Sequence, residues 1–299
     1  MIQVKKLTKK IDDHVILKDV NIHVKEGSIY GLVGPNGAGK TTLIKHLVGI
    51  YTQNSGDIEI LGEKIYENIE IKDRIAYISD DLYYFPQYTV KSMAKFYSNI
   101  FSNWCWERYE KLKEIINIDE NMKVNKMSKG MKKQVAFWLA ISHFPEVIIL
   151  DEPVDGLDPI ARKKIWSLLI QDVAQRKTTI LVSSHNLREL EDVCDTVGIM
   201  HDGKVLIEKE LDNLKSNVVK VQVAFEGDMD ASLEYGLTIL NKEQTGSVYT
   251  LIVKGNREEL IKQINSYKPL VLDVLPLTLE EVFIYEVRGA GYEVKDVIL

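Results

Sequence analysis

The chain has 299 residues, 45% of them hydrophobic and 27% charged, and a formal net charge of −6. Such a length can bury one large core or two smaller ones, and the composition is that of an ordinary globular protein. The acidic balance gives no reason to expect nucleic acid as a partner. Cys105 and Cys194 lie far apart, outside any metal-ligand spacing, and read as plain thiols of a reducing compartment. No apolar run approaches the ~20 residues needed to cross a bilayer. The N-terminus, Met1-Ile2-Gln3-Val4-Lys5-Lys6, has no apolar signal core. Work at a membrane would therefore call for a separate membrane chain.

The first thirty or so residues alternate as strands: Ile2 and Val4, Val15 and Leu17, then Val20, Ile22 and Val24. Ser28 to Val33 is a short, mostly apolar run of buried-strand character. Gly34-Pro35-Asn36-Gly37-Ala38-Gly39-Lys40-Thr41-Thr42 follows, and then Leu43, Ile44, Leu47 and Val48 at helical spacing. Strand, glycine-rich turn and helix spell G-x-x-x-x-G-K-[ST] in the context its chemistry requires. Glycines let main-chain N–H groups converge on phosphate oxygens, and the helix N-terminus adds partial positive charge. Lys40 would reach the β- and γ-phosphates, the Thr41 hydroxyl would ligate Mg²⁺, and Thr42 would add a hydroxyl near the α- and β-phosphates. The chain is expected to bind a nucleoside triphosphate.

Further on, Asp57 to Ile60 and Arg74 to Ser79 read as strands. The period turns helical from Thr89 to Ile118, where Trp104, Trp106 and several tyrosines are expected to be core. Ser128 starts a strong helix with Met131, Val135, Trp138 and Leu139 on one face, ended by Pro145. Val147 to Leu150 suits a central parallel strand. A helix over Ile160 to Val173, a strand over Thr178 to Val182, a helix over Leu187 to Val193 and a strand over Thr196 to Met200 complete an alternating pattern. His201-Asp202-Gly203-Lys204 turns into Val205-Leu206-Ile207 as a hairpin. Around Lys215 to Asn217 the character shifts to antiparallel strands, Val219 to Phe225 and Ser247 to Val253. Asn256 with Glu259, and Thr278 with Glu281, are spaced as capping boxes. The expected fold is an α/β P-loop core over 1–215, with an N-terminal antiparallel β subdomain and a helical insert at about 86–142, then a small α+β domain over 216–299.

Two further stretches complete a candidate site. The apolar run Val147 to Leu150 ends in Asp151 and Glu152, followed by Pro153. Asp151 at the strand end can hold Mg²⁺ through water. Glu152, one residue on, points elsewhere, towards the γ-phosphate and its attacking water, which suits a general base. Ser183-Ser184-His185 ends the next buried strand on the carboxyl edge, where ligands of parallel sheets bind, and His185 can donate a hydrogen bond to the γ-phosphate.

In this order and spacing, roughly residues 1 to 210 resemble the nucleotide-binding domain of ATP-binding-cassette (ABC) proteins. In that family's terms Gly34 to Thr42 match the Walker A loop, Val147 to Glu152 the Walker B strand with its catalytic glutamate, Gly156-Leu157-Asp158 the D-loop, and His185 the switch histidine. Met127-Ser128-Lys129-Gly130-Met131 falls where the signature L-S-G-G-Q belongs. Ser128 would cap a helix whose first N–H groups form an anion site, and the resemblance implies that Ser128 and Gly130 act in trans. Three places depart from the pattern. Lys129 and Met131 replace Gly and Gln; Asp80, or Asp81, stands where the Q-loop glutamine belongs; and Ile11 stands near the position of the adenine-stacking aromatic.

The resemblance implies an ATP- and Mg²⁺-dependent ATPase of the single-cassette, exporter-like (ABC-2 or acetoin-utilisation-like) type. It would pair head to tail with itself or a paralogous ATPase and lie at the cytoplasmic face of the membrane on a separate transmembrane permease. Tyr83, Tyr84 and Phe85 suit either permease contact or core. Two rivals remain: an ABC ATPase without a permease, and a non-hydrolysing, ATP-gated binding module.

Overall fold

The computed structural model describes residues 1–211, 218–227, 229–278 and 281. The chain divides into two compact units, Met1–Glu208 and Lys209–Leu299; the expected boundary at 215–216 lies outside the described residues.

In the first unit, β1 (Ile2–Ile11) and β2 (His14–Val24) form a long antiparallel hairpin, extended by β4 (Ser55–Ile60) and β5 (Glu63–Lys64) in the order β2-β1-β4-β5. Its inward residues, Ile2, Val4, Leu7, Val20, Ile22 and Val24, are nearly fully buried, so period-two alternation here does mark a one-faced sheet. The second sheet carries the fold. It comprises β3 (Ile29–Val33), β6 (Ile75–Ile78), β7 (Val147–Asp151), β8 (Thr179–Ser184), β9 (Thr196–His201) and β10 (Lys204–Glu210), in the order β10-β9-β3-β8-β7-β6. β3 pairs in parallel with β8 and β9, and β7 in parallel with β6 and β8. Every residue of β3, β7 and β8 is buried. That is why these strands read as continuous apolar runs rather than alternations.

Helix α1 (Lys40–Leu47) follows β3, and the short α2 (Ile69–Asp73), capped by the Asn68 side chain, precedes β6. The helical insert resolves into α3 (Val90–Ile100), α4 (Trp106–Ile116) and α5 (Lys129–Ile141). Tyr109 of α4 stacks on Trp138 of α5 with ring centroids 4.7 Å apart, both fully buried, as expected for core aromatics. Trp106 is instead 44% exposed. Arg108 of α4 donates from Nη2 to both carboxylate oxygens of the buried Asp172 on α6 (Pro159–Arg176), at 2.7 and 2.6 Å, and from Nε to the Ile141 carbonyl at 2.8 Å, fixing insert to core. The helix expected over Leu187 to Val193 is only a 3₁₀ turn, Leu187–Glu189, opened by the Asn186 side chain. Leu187 and Leu190 are buried there without the roughly two α-helical turns that the spacing suggested.

The second unit is a β-α-β-β-α-β arrangement: β11 (Val218–Ala224), α7 (Ala231–Gly236), β12 (Thr238–Thr245), β13 (Val248–Lys254), α8 (Arg257–Ser266) and β14 (Val271–Leu275). Its strands pair antiparallel in the order β12-β13-β11-β14, the split-βαβ pattern of ferredoxin-like folds. Val221, Val223, Leu233, Leu251 and Ile264 form its core. Asn256 caps α8. Thr278 and Glu281 make a reciprocal box: Glu281 N–H donates to Thr278 Oγ1 at 3.3 Å, and Thr278 N–H to Glu281 Oε2 at 3.0 Å. The residues after Glu281, including Val282 and Phe283, lie outside the described residues.

Candidate functional site

β3, β8, β7 and β6 are parallel neighbours, so their C-terminal ends open onto a single edge. Register places Val33 beside Ser184, Asp151 beside Ser183, and Leu150 beside Ile78. The segments that leave these strands therefore converge: the loop from Gly34, the Glu152 turn, His185, and Asp80. This is the crevice position of open α/β sheets.

A cavity of about 250 Å³ lies there, lined by residues 35–42 with Ile16, Asp80 and Glu152. Gly39, at φ 104°, precedes α1 in a conformation that a side chain would strain, and no side chain caps the helix. The first N–H groups of α1 thus face the loop, as an anion-binding helix start requires. Lys40 is 6% exposed. Its Nζ donates to the carbonyls of Gly34 (2.7 Å) and Pro35 (3.2 Å) and stands 3.4 Å from Glu152 Oε1.

The β7 end is fixed by Ser183. Its hydroxyl donates to Asp151 Oδ1 at 2.6 Å and accepts from Glu152 N–H at 3.1 Å. Asp151 is buried at 2% exposure. Glu152 turns at φ 45°, in the left-handed region, so consecutive carboxylates separate. Glu152 Oε2 lies 3.0 Å from His185 Nδ1, and the carboxylate and imidazole atoms of Glu152, Asp155 and His185 all fall within 4.8 Å of one another. Beside β7, burial foremost and then the Asp151 carboxylate push the Tyr77 phenol up to about 12, so it stays neutral. Asp80 Oδ1 is 3.3 Å from Lys133 Nζ.

Other expected residues stand apart. Ser128 caps α5, accepting from Met131 N–H at 3.2 Å, and Asp158 caps α6, accepting from Ile160 and Ala161 N–H at 3.0 and 2.9 Å. Gly130 sits so close to the carbonyl of Gly156 that a Cβ would lie 2.9 Å from it, which seats the start of α5 on the loop before α6. Ser128, Lys129, Gly130, Met131 and Asp158 do not line the cavity. Ile11 does not either: it ends β1, paired with His14 at the hairpin, and is 40% exposed. Ile16, on the returning strand, lines the cavity in its place, with its carbonyl against Gly39 and Gly203. Sequence reasoning missed Ile16, Lys133, Asp155 and the bridging role of Ser183. For Ser183 a signal existed, since a hydroxyl on a buried strand beside Asp151 must find a partner.

The candidate metal donors, the Thr41 hydroxyl and the carboxylates of Asp151 and Asp80, are hard oxygens of the kind Mg²⁺ takes, and the cavity is lined by two of them. Among the described residues no helix is long and apolar enough to cross a membrane.

Comparison with known proteins agrees with this geometry. Residues 17–155 match the family described as ABC transporter. The ABC transporter ATP-binding protein YtrB of Bacillus subtilis (strain 168) is 33% identical over 290 residues, 97% of this chain and 99% of YtrB. The bacitracin transport ATP-binding protein BcrA of Bacillus licheniformis is 38% identical over 283 residues, 92% of each chain. A solved ATP-binding subunit of an ABC transporter superposes with a TM-score of 0.67 at 28% identity, over 72% of this chain and 92% of that one. A P-loop, two carboxylates and a histidine on one edge of a parallel sheet, in a chain that aligns with such relatives almost end to end, make this protein a member of the ABC transporter family, among its ATP-binding subunits.

Proposed function

We propose that the chain hydrolyses ATP within a head-to-tail dimer, formed with a second copy or a paralogous ATPase, and so drives a separate transmembrane permease from the cytoplasmic face of the membrane. The observation that carries the hydrolytic reading is the Glu152 carboxylate, held between Lys40 and His185 at the mouth of the glycine loop. In this reading the main-chain N–H groups of the turn over residues 36–42 and the Lys40 ammonium hold the phosphates. Glu152 accepts the proton of the attacking water as the water oxygen bonds to the γ-phosphorus and the bond from that phosphorus to the oxygen of the leaving ADP breaks, and His185, hydrogen-bonded to the same carboxylate, keeps that base aimed. Thr41, Asp151 through water, and Asp80 would hold Mg²⁺, which when bound offsets charge on the phosphate oxygens.

The dimer is supported by what the cavity lacks. Ser128 and Lys129 are exposed and do not line the cavity, which leaves their helix start accessible to a second molecule. Asp158 is exposed on the same terms. For the permease, Tyr83 is 81% exposed and Phe85 and Tyr88 are 37% and 39% exposed, in edge and tilted ring contact with one another. Tyr84 instead turns inward, its hydroxyl donating to the Lys132 carbonyl at 2.7 Å. An outward aromatic cluster just after Asp80 suits the docking of a membrane partner's apolar segment.

Phosphate release from ATP by the purified chain, with and without Mg²⁺, tests the proposal alongside light scattering. Turnover that needs Mg²⁺, with ATP-dependent doubling of mass, is expected. ATP bound without any turnover, at concentrations where the dimer forms, would sink the hydrolytic reading.

A further inference from the structure

Lys133 lies on α5, five positions after the capping Ser128, and no part of it is exposed. A buried ammonium must find acceptors for its protons and an opposite charge. Here it donates to the main-chain carbonyl of Glu152 at 2.6 Å and faces Asp80 Oδ1 at 3.3 Å. Glu152 meanwhile occupies the left-handed region at φ 45°, a conformation that a residue with a Cβ keeps only when its surroundings impose it. Both of its main-chain polar groups are in fact held, the N–H by Ser183 Oγ and the C=O by Lys133. The carboxylate that results points at Lys40 and His185.

We propose that Lys133 is a positioning residue. Its ammonium pins the Glu152 carbonyl and thereby the turn that aims the carboxylate. Asp80 supplies the balancing charge, so the segment after β6 and the Glu152 turn are joined through one cation. This rests on the reading that Glu152 serves hydrolysis. The pair also accounts for a carboxylate at position 80, where the family pattern has a neutral glutamine: a lysine on the buried side of α5 calls for an anion. Because the segment after Asp80 carries the exposed aromatics, a partner that displaced it would pull on the Glu152 turn through Lys133.

The test uses the full chain with Lys133→Met, Lys133→Arg and Asp80→Asn. Turnover, KM for ATP, affinity for a fluorescent ATP analogue without Mg²⁺, and crystal structures without nucleotide are compared. Lys133→Met is expected to lower kcat by about tenfold or more while KM and analogue affinity stay within about twofold, and Lys133→Arg to recover much of the loss. Its crystal structure should show Glu152 out of the left-handed region and Oε2 beyond hydrogen-bond distance of His185. A kcat within about twofold of the parent overturns the proposal, as does analogue affinity falling in step with kcat. So does a Glu152 turn unchanged in the crystal. Should Lys133→Met not fold, the crystal structure of Asp80→Asn without nucleotide or metal carries the test, since that side chain is 47% exposed; a Glu152 turn out of the left-handed region is expected, and an unchanged turn overturns the role. The crystal arm reads Glu152 without turnover, so a parent that failed to hydrolyse ATP would defeat the hydrolytic reading while the role of Lys133 in the turn was still decided.

Discussion

Glu152 Oε2 stands 3.0 Å from Nδ1 of His185, on the opposite side of the carboxylate from Lys40. The two oxygens therefore have different company, an imidazole for one and a nearly buried ammonium for the other. A carboxylate so flanked has a fixed orientation and retains lone pairs for a water. Glu152→Gln keeps the shape and removes the base. Turnover should fall by roughly a hundredfold or more, with nucleotide affinity preserved and an ATP-bound dimer accumulating in light scattering. Hydrolysis persisting at the parent rate would refute the base assignment.

The proposed in-trans role of Ser128 is tested separately. In a Glu152→Gln background, Ser128→Arg should abolish the ATP-dependent dimer, because a bulky cation would stand at the helix start that the proposed dimer turns to the second nucleotide. Binding of ATP to the monomer should not change, since Ser128 lies off this chain's own cavity. Ser128→Ala separates the cap from the interface, costing about 1 kcal/mol of stability by loss of the bond from Met131 N–H. A dimer undisturbed by arginine would place the interface elsewhere.

The two isoleucines of the first hairpin give an opposed pair. Ile16→Tyr puts an aromatic on the cavity wall and should tighten nucleotide binding by about threefold to tenfold, the worth of an added aromatic contact. Ile11→Tyr, at the exposed hairpin end, should leave affinity unaltered. Fluorescence titration with a nucleotide analogue distinguishes them, and the reverse ranking would restore Ile11 as the base contact.

That Ile16 and not Ile11 lines the cavity shows where the sequence stopped being readable. The loop at Gly34 to Thr42, the strand ending in Asp151-Glu152, and His185 were legible because glycine spacing and unbroken apolar runs are local properties. The choice between Ile11 and Ile16 depends on how β1 and β2 pair, and that pairing slips between Val4 and Leu7 and twice more before Lys10. Bulges of this kind leave no local mark. Lys133 was invisible for a different reason. A lysine in a helix reads as solvated, and only the Glu152 carbonyl and Asp80, both distant in sequence, make its burial possible. Five-residue α2 is too short to show a period at all.

His143, just beyond α5, offers a prediction for the fold rather than for the site. The ring is 1% exposed and lies flat on Phe101, with centroids 3.9 Å apart. Burial pushes its pKa down from 6.5 to about 4, with the Arg176 charge adding to the fall and Asp73 opposing it. The folded chain therefore keeps the ring neutral in a range where the unfolded chain protonates it. Stability from this residue is complete above about pH 6.5 and is lost as pH falls from there to about 4, by roughly 3 kcal/mol in all. Carboxylates such as Glu146, held low by its hydrogen bonds to Arg74, give their own loss at more acid pH. Comparing parent with His143→Phe cancels that background and keeps the stacked ring. Urea unfolding at pH 7.5 and pH 5 should show a smaller drop for the phenylalanine variant, and equal drops would mean that the buried imidazole does not govern this acid sensitivity.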